Sequence, residues 1–316
     1  MNRKLYLLLL AALIAALCLF VPSPALVEEW KPDLSALTKI PLDAESGYAP
    51  DPACYLSDMA YEDPTISVKI ETDTYCDTPM FIARIKIADA SQLRTMMAGE
   101  YGTQRTILAT TMAERGGAVI TVNGDYFSYI NHGLVVRQGV TYRMRGNKKY
   151  DSLIIDVNGD LHVIKNIEKT TLEAAYAKFG GSVEEGGTIV QGFTFGPALV
   201  ENGVRAHEEY KRADGGARKK AQRMVIAQDG PLSYLLVCCE GPDNKNSEGL
   251  TLEEMGQYML SLGVKTAYNL DGGGSTTMVF NGQKINALTT SKNRSVSDII
   301  YFTSGVAKEP EGETIE

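Results

Sequence analysis

The chain predicts a mixed α+β fold: a largely hairpin-connected β-sheet core with a few flanking helices, in a single domain. Three observations lead there. Alternating or apolar runs are repeatedly joined by short turn dipeptides: Gln138 and Gly139 in GLVVRQGVTYRM, Asn158 and Gly159 in LIIDVNGDLHVI, and Asp229 and Gly230 in RMVIAQDGPLSYLLVCC. Helical segments are few, and the clearest is TLEEMGQYMLSLG, with Thr251 and Glu254 as a capping box and Gly263 as its stop. With 316 residues, 44% of them hydrophobic, the chain has enough apolar material for a sizeable core.

The elements follow in order. Arg3 and Lys4 precede an apolar run from Leu5 to Val21, and Ser23 and Ala25 are small enough for a cleavage site, so residues 1–25 read as a signal peptide or an N-terminal membrane anchor. Residues 26–63, rich in Pro, Asp and Ala without periodicity, read as a tether. TISVKIETDT and MFIARIKIAD read as paired strands with Pro79 in the connection. TQRTILATTMAERGG reads as a helix stopped by Gly116, followed by the apolar strand AVITV. TLEAAYAKF is a short helix, TIVQGFTF a strand, and VKTAYNL a buried strand after the capped helix. The passages from helix to strand at AVITV and VKTAYNL predict some parallel pairing. SDIIYFTSGV supplies the last strand, and residues 306–316 form an acidic tail.

The net charge is −8, and removing the basic start makes it more negative. That balance disfavours nucleic acid as a partner, and an anionic ligand would need a local cluster of Arg or Lys. An exported domain acts outside the cytoplasmic membrane, with the N-terminal segment touching membrane if it is not cleaved. Export also permits disulfides, and Cys54 with Cys76 is the expected bridge. Cys238 and Cys239 are neighbours in a strand and read as packed thiols.

Functional information concentrates in NLDGGGSTTMVF. Asp271 leaves the end of a strand and is followed by Gly272, Gly273, Gly274 and Ser275, so the backbone can turn sharply and its N–H groups can approach an anion. A plain turn is the alternative. No Lys follows Gly274, which excludes a nucleotide-binding P-loop, and Thr277 replaces the second glycine of a serine-hydrolase elbow. The Asp156, Asn158, Asp160 spacing fails as a calcium loop because Leu161 holds the glycine position.

A second strand end, AVITVNGDYF, carries Asn123 and Asp125, so two carboxylates can face one pocket. Arg223 and Arg294 are each flanked by apolar runs; an arginine there suits either phosphate binding or a structural salt bridge. His132, just after NGDYF, can line a site or serve as a loop residue. Asp125, Asp271 and the loop 243–248 offer ligands for a divalent metal, which the sequence does not require.

Taken in order, NGDYF, GLVVRQG, FGPALVENG, QRMVIAQDG, SEGLTLEEMGQYMLSLGVKTAYNLDGGGSTTMVFNG and NRSVSDIIYF resemble the phosphodiester glycosidase family over about residues 63–305. Asp125 and Ala227 stand where many relatives have glycine. The resemblance implies a single catalytic domain over 64–305 that hydrolyses a sugar-1-phosphodiester, for example of N-acetylglucosamine, at the anomeric carbon, in cell-envelope or exopolysaccharide metabolism. Asp271 and Asp125 would be its carboxylates and Arg223 and Arg294 its phosphate ligands. Gly272 to Gly274 and Ser275 would assist them, while Asn123 and Asn269 hold sugar hydroxyls or orient the carboxylates. A non-catalytic module that binds envelope glycan or sugar phosphate is the competing expectation.

Overall fold

The computed structural model describes residues 30–212, 215–242, 247–286 and 294–307. The proposed leader, most of the acidic tail and positions 243–246 of the polar loop lie outside the described residues. The folded unit begins at Pro32. It contains three sheets, of nine, five and five strands.

The nine-stranded sheet is built around the hairpin Ile66–Tyr75 and Thr78–Ile87, which pair along their whole length. Ser233–Cys239, Arg223–Gly230, Thr266–Asn269 and Ala198–Glu201 continue it. A second sheet centres on Ser152–Asp156, Ile189–Thr194 and Gly133–Arg137, and the third on Met278–Phe280, Ala118–Asn123 and Asp298–Thr303.

Alternation sends one side chain of each pair inward, and the inner faces of all three sheets meet in one core that includes Ile85, Met224, Leu236, Leu153, Phe193, Val122 and Ile300. Each outer face is covered by one helix. Leu252–Ser261 seats Leu252, Met255 and Met259 against the large sheet. Ala109–Gly116 seats Met112 and Ala113 against the third sheet, and Lys169–Lys178 seats Leu172 and Tyr176 against the second. The predicted α+β class is the observed one.

Several details differ from expectation. Every ladder between the named strands is antiparallel; AVITV and VKTAYNL each insert between two strands that run the other way, so neither makes a parallel crossover. Residues from Asp33 onward are not a tether. Asp33 N–H bonds the Pro64 carbonyl, Thr38 N–H bonds Gly305, and Ile40 and Tyr61 are buried. Tyr55–Ser57 and Ala60–Glu62 add two edge strands to the large sheet.

The Cys54–Cys76 bridge is also corrected: Cys54, Cys76, Cys238 and Cys239 are free thiols. Register explains it. Tyr55 is level with Tyr61, which is level with Val68, whereas Cys76 lies beyond Tyr75 in the hairpin turn. At ~3.3 Å per residue the eight residues from Val68 to Cys76 put the two cysteines roughly 26 Å apart along the strands, far beyond disulfide reach.

Candidate active site

The strand Ala118–Asn123 ends beside the end of Thr266–Asn269, and Asn123 ties the two together. Its Nδ2 donates to the Asp271 carbonyl at 2.8 Å, its Oδ1 accepts from Thr277 N–H at 3.1 Å, and Asp271 N–H bonds the Gly124 carbonyl at 3.3 Å. A small polar pocket of about 30 Å³ forms there, lined by Asn123, Gly124, Asp125, Tyr126, Tyr129, Asp271, Ser275 and Arg294 among others. Five side chains singled out from sequence therefore share one wall: Asn123, Asp125, Asp271, Ser275 and Arg294.

Asp271 is half-buried. Burial raises its carboxyl above the ordinary range, against the lowering pull of the Ser275 hydroxyl, the Arg294 charge, the Gly272 N–H and the Arg212 charge. The glycine loop behaves differently from the expected anion cradle. Gly272 N–H bonds Asp271 Oδ1 at 2.9 Å, and Gly273 N–H bonds the Gln222 carbonyl at 2.9 Å. The loop thus holds its own carboxylate in place, with only Gly274 exposed. Gly273 has φ +58°, and a Cβ on Gly272 would meet the Gln222 carbonyl at 2.6 Å, so glycine is needed at both for conformation and close approach.

Asp125 is buried and fully engaged. Oδ1 accepts from Arg137 Nη2 at 3.0 Å and Phe127 N–H at 3.1 Å, and Oδ2 accepts from Thr194 N–H at 2.8 Å. Arg137 lies between Asp125 and Asp298, donating Nε and Nη2 to Asp298 Oδ2 and Nη1 to the carbonyls of Val136 and Gly192. Its guanidinium also packs 4.1 Å from the Phe193 ring centre. Two buried carboxylates share one cation. Burial pushes the Asp298 carboxyl up to about 7 against the pull of Arg137, with Asp125 and Asp271 adding to the rise. Any Cβ at position 124 would collide with the Asp298 carboxylate, which explains that glycine.

Sequence reasoning missed Arg137 and Asp298. The available sign was a charged residue within an otherwise apolar strand, in GLVVR and SDIIYF.

Arg223 is a correction. Its Nε donates to the Leu250 carbonyl at 2.9 Å and its Nη2 to those of Gly216 and Lys219 at 3.0 and 2.5 Å. It pairs with Cys239 and shares that residue's face, under the helix Leu252–Ser261, whereas Met224 faces the central core. Arg223 anchors three backbone segments and does not line the Asp271 pocket.

Asn269 donates to the Gly196 carbonyl at 2.8 Å, and its buried Oδ1 has no partner among the described residues. His132 packs its ring 4.1 Å from that of Tyr150 and does not line the Asp271 pocket, and burial followed by Arg143 and Arg145 lowers its pKa. Among the described residues no group of three or more His, Cys, Asp or Glu side chains is arranged to hold a metal ion, and no helix is long and apolar enough to cross a membrane.

Three antiparallel sheets, with a strand-end pocket that gathers carboxylates and an arginine, define a glycosidase-type fold. The chain belongs to the phosphodiester glycosidase family, whose sequence profile matches residues 116–303. It is 25% identical over 209 residues to the SPbeta prophage-derived uncharacterized protein YomE of Bacillus subtilis strain 168, a match that takes in 64% of this chain and 30% of that protein. The chain thus spans less than a third of that relative. The catalytic domain of zebrafish N-acetylglucosamine-1-phosphodiester alpha-N-acetylglucosaminidase, auto-inhibited by its pro-peptide, has the same fold: TM-score 0.59 at 16% identity, over 82% of this chain and 87% of that one.

Proposed function

We propose that this chain is an exported hydrolase that cleaves a sugar-1-phosphodiester at the anomeric carbon, in cell-envelope or exopolysaccharide metabolism. The observation that carries the reading is the placement of Asp271, a half-buried carboxylate held by Ser275 and Gly272 N–H, in one pocket with Arg294. Family membership and the zebrafish enzyme's substrate support the choice of bond.

In this reading water adds to C1, the C1–O bond breaks, and the phosphate leaves as a monoester. Because that leaving group is good, a strong general acid matters less than charge neutralisation, which falls to Arg294. Asp271 is the carboxylate that works at the anomeric centre. Asp125, with both oxygens already accepting hydrogen bonds, positions the pocket through Arg137 and Thr194.

Sugar release from a panel of sugar-1-phosphodiesters, N-acetylglucosamine esters included, tests the reading. Release by the wild type and its loss in Asp271→Asn supports it. Binding without release by the wild type would replace the hydrolase with a binding module. Export is tested separately by protease added to intact cells, which should degrade the domain.

A further inference from the structure

A second cavity among the described residues is far larger than the Asp271 pocket. This cleft of about 730 Å³ has Tyr150 and Phe195 as aromatic walls, Asp151 and His207 in its lining, and Lys148, Lys149, Lys211 and Arg212 together with Glu208 and Glu209 around it. The lining is built to a defined geometry. Asp151 accepts from Asn166 N–H and Ala198 N–H, each at 2.9 Å, and its Oδ2 lies 2.6 Å from His207 Nε2. Tyr150 is backed by the His132 ring, and the Arg212 guanidinium lies 4.0 Å from the Phe195 ring centre.

One backbone carbonyl links the cleft residue Arg212 to the strand that leads to Asp271. The Gly196 carbonyl accepts from Asn269 Nδ2 at 2.8 Å and from Arg212 Nη1 at 3.3 Å. A ligand held at Arg212 is therefore one residue from the strand that presents Asp271.

Charge gives the class of ligand. Of the acidic side chains that line the cleft, Glu209 is paired with Lys211 and Arg218 and Asp151 with His207, which leaves Glu208 against Lys148 and Lys149, exposed neighbours with no ion pair among the described residues of this chain of net charge −8. A single diester phosphate does not require them once Arg294 is at hand. Aromatic walls with a few fixed polar groups suit sugar rings and hydroxyls.

We propose that this cleft is a second binding site that takes an anionic glycan or polyol chain, with its rings or carbons on Tyr150 and Phe195 and its repeating anions on Lys148, Lys149 and Arg212. The assignment of that chain to the alcohol side of the diester rests on the hydrolase reading; the binding itself does not.

The test is calorimetry on the purified chain with a galacturonic acid tetramer, its fully methyl-esterified form and a glycerol phosphate tetramer. At least one charged tetramer should bind about tenfold more tightly than the neutral ester, and K148E/K149E should remove that advantage. Tyr150→Ala should weaken charged and neutral chains alike. Whichever of the two charged probes binds better identifies the anion as carboxylate or phosphate. Equal affinity for the acid and its ester together with no glycerol phosphate binding, or charged-chain binding unchanged in K148E/K149E, overturns the proposal. None of the probes is a sugar-1-phosphodiester, so a failed sugar-release assay leaves this result standing, and release without probe binding refutes only the cleft.

Discussion

Arg137 donates twice to a single oxygen of Asp298, Nε at 2.9 Å and Nη2 at 2.6 Å, while the other oxygen of that carboxylate is buried without a hydrogen-bond partner among the described residues. The bond joins the second sheet to the third, and Asp125 completes it on the pocket side. A charge deleted here leaves its partners stranded out of water. Arg137→Met should therefore cost about 3–5 kcal/mol, read from urea unfolding, and impair the pocket with it. A loss under 1 kcal/mol would show that the triad is dispensable.

The orphaned oxygen makes a pH prediction. The folded-state pKa of Asp298 is raised to about 7, above its unfolded value, so the native state binds the extra proton between roughly pH 4 and 7. Stability from this group is present at the acid end of that window and falls as pH rises through it. Relative to Asp298→Asn, which cannot ionise, the wild type should lose melting temperature from pH 5 to pH 8. A difference that does not change with pH would mean that Asp298 does not titrate there.

Asp271→Asn should lower turnover at least about a hundredfold while the circular dichroism spectrum stays native. Arg294 lowers the Asp271 pKa, so Arg294→Gln should move the acid limb of the rate profile to higher pH, in addition to weakening substrate. A limb that stays in place would separate the two residues electrostatically.

Arg223→Gln should act on stability. Its donors serve the carbonyls of Leu250, Gly216 and Lys219, and leaving those buried acceptors unmatched costs on the order of 1–3 kcal/mol. Affinity for a sugar-1-phosphodiester in the folded variant should change little. A folded variant that has lost ligand affinity would return Arg223 to the site.

Thiol labelling checks the cysteines. Cys76, exposed in its turn, should alkylate at once, and Cys238 and Cys239, buried with their pKa raised by that burial, only after unfolding. Recovery of Cys54 linked to Cys76 would contradict the strand register.

What the sequence disclosed was local. The Gln138–Gly139 turn is real, with φ of +49° and +78°, because a two-residue hairpin demands those conformations. Thr251 and Glu254 cap their helix reciprocally, as the spacing requires. Where two turns compete, the local reading slipped. The strand from Arg223 continues through Gly230, and Leu232, at φ +52°, makes the bend. Pro79 likewise pairs with Thr74 inside the ladder, and Cys76 and Asp77 form the turn.

At the site, residues in strand-end motifs were legible because glycines and carboxylates after an apolar run have few structural uses. Arg137 and Asp298 were not, since each sits in a run that otherwise reads as core and its partner is 161 positions away. Arg223 misled for the same reason: a charge beside an apolar strand does not reveal which face it takes.

The inward-turned amides of the glycine loop have one more consequence. With the Gly272 and Gly273 amides turned inward, the proposed hydrolase would have to draw its selectivity among anions from replaceable side chains such as Arg294 and Arg212. On that reading such a scaffold would keep its carboxylate in place over evolutionary time while single codon changes at the rim alter what it binds.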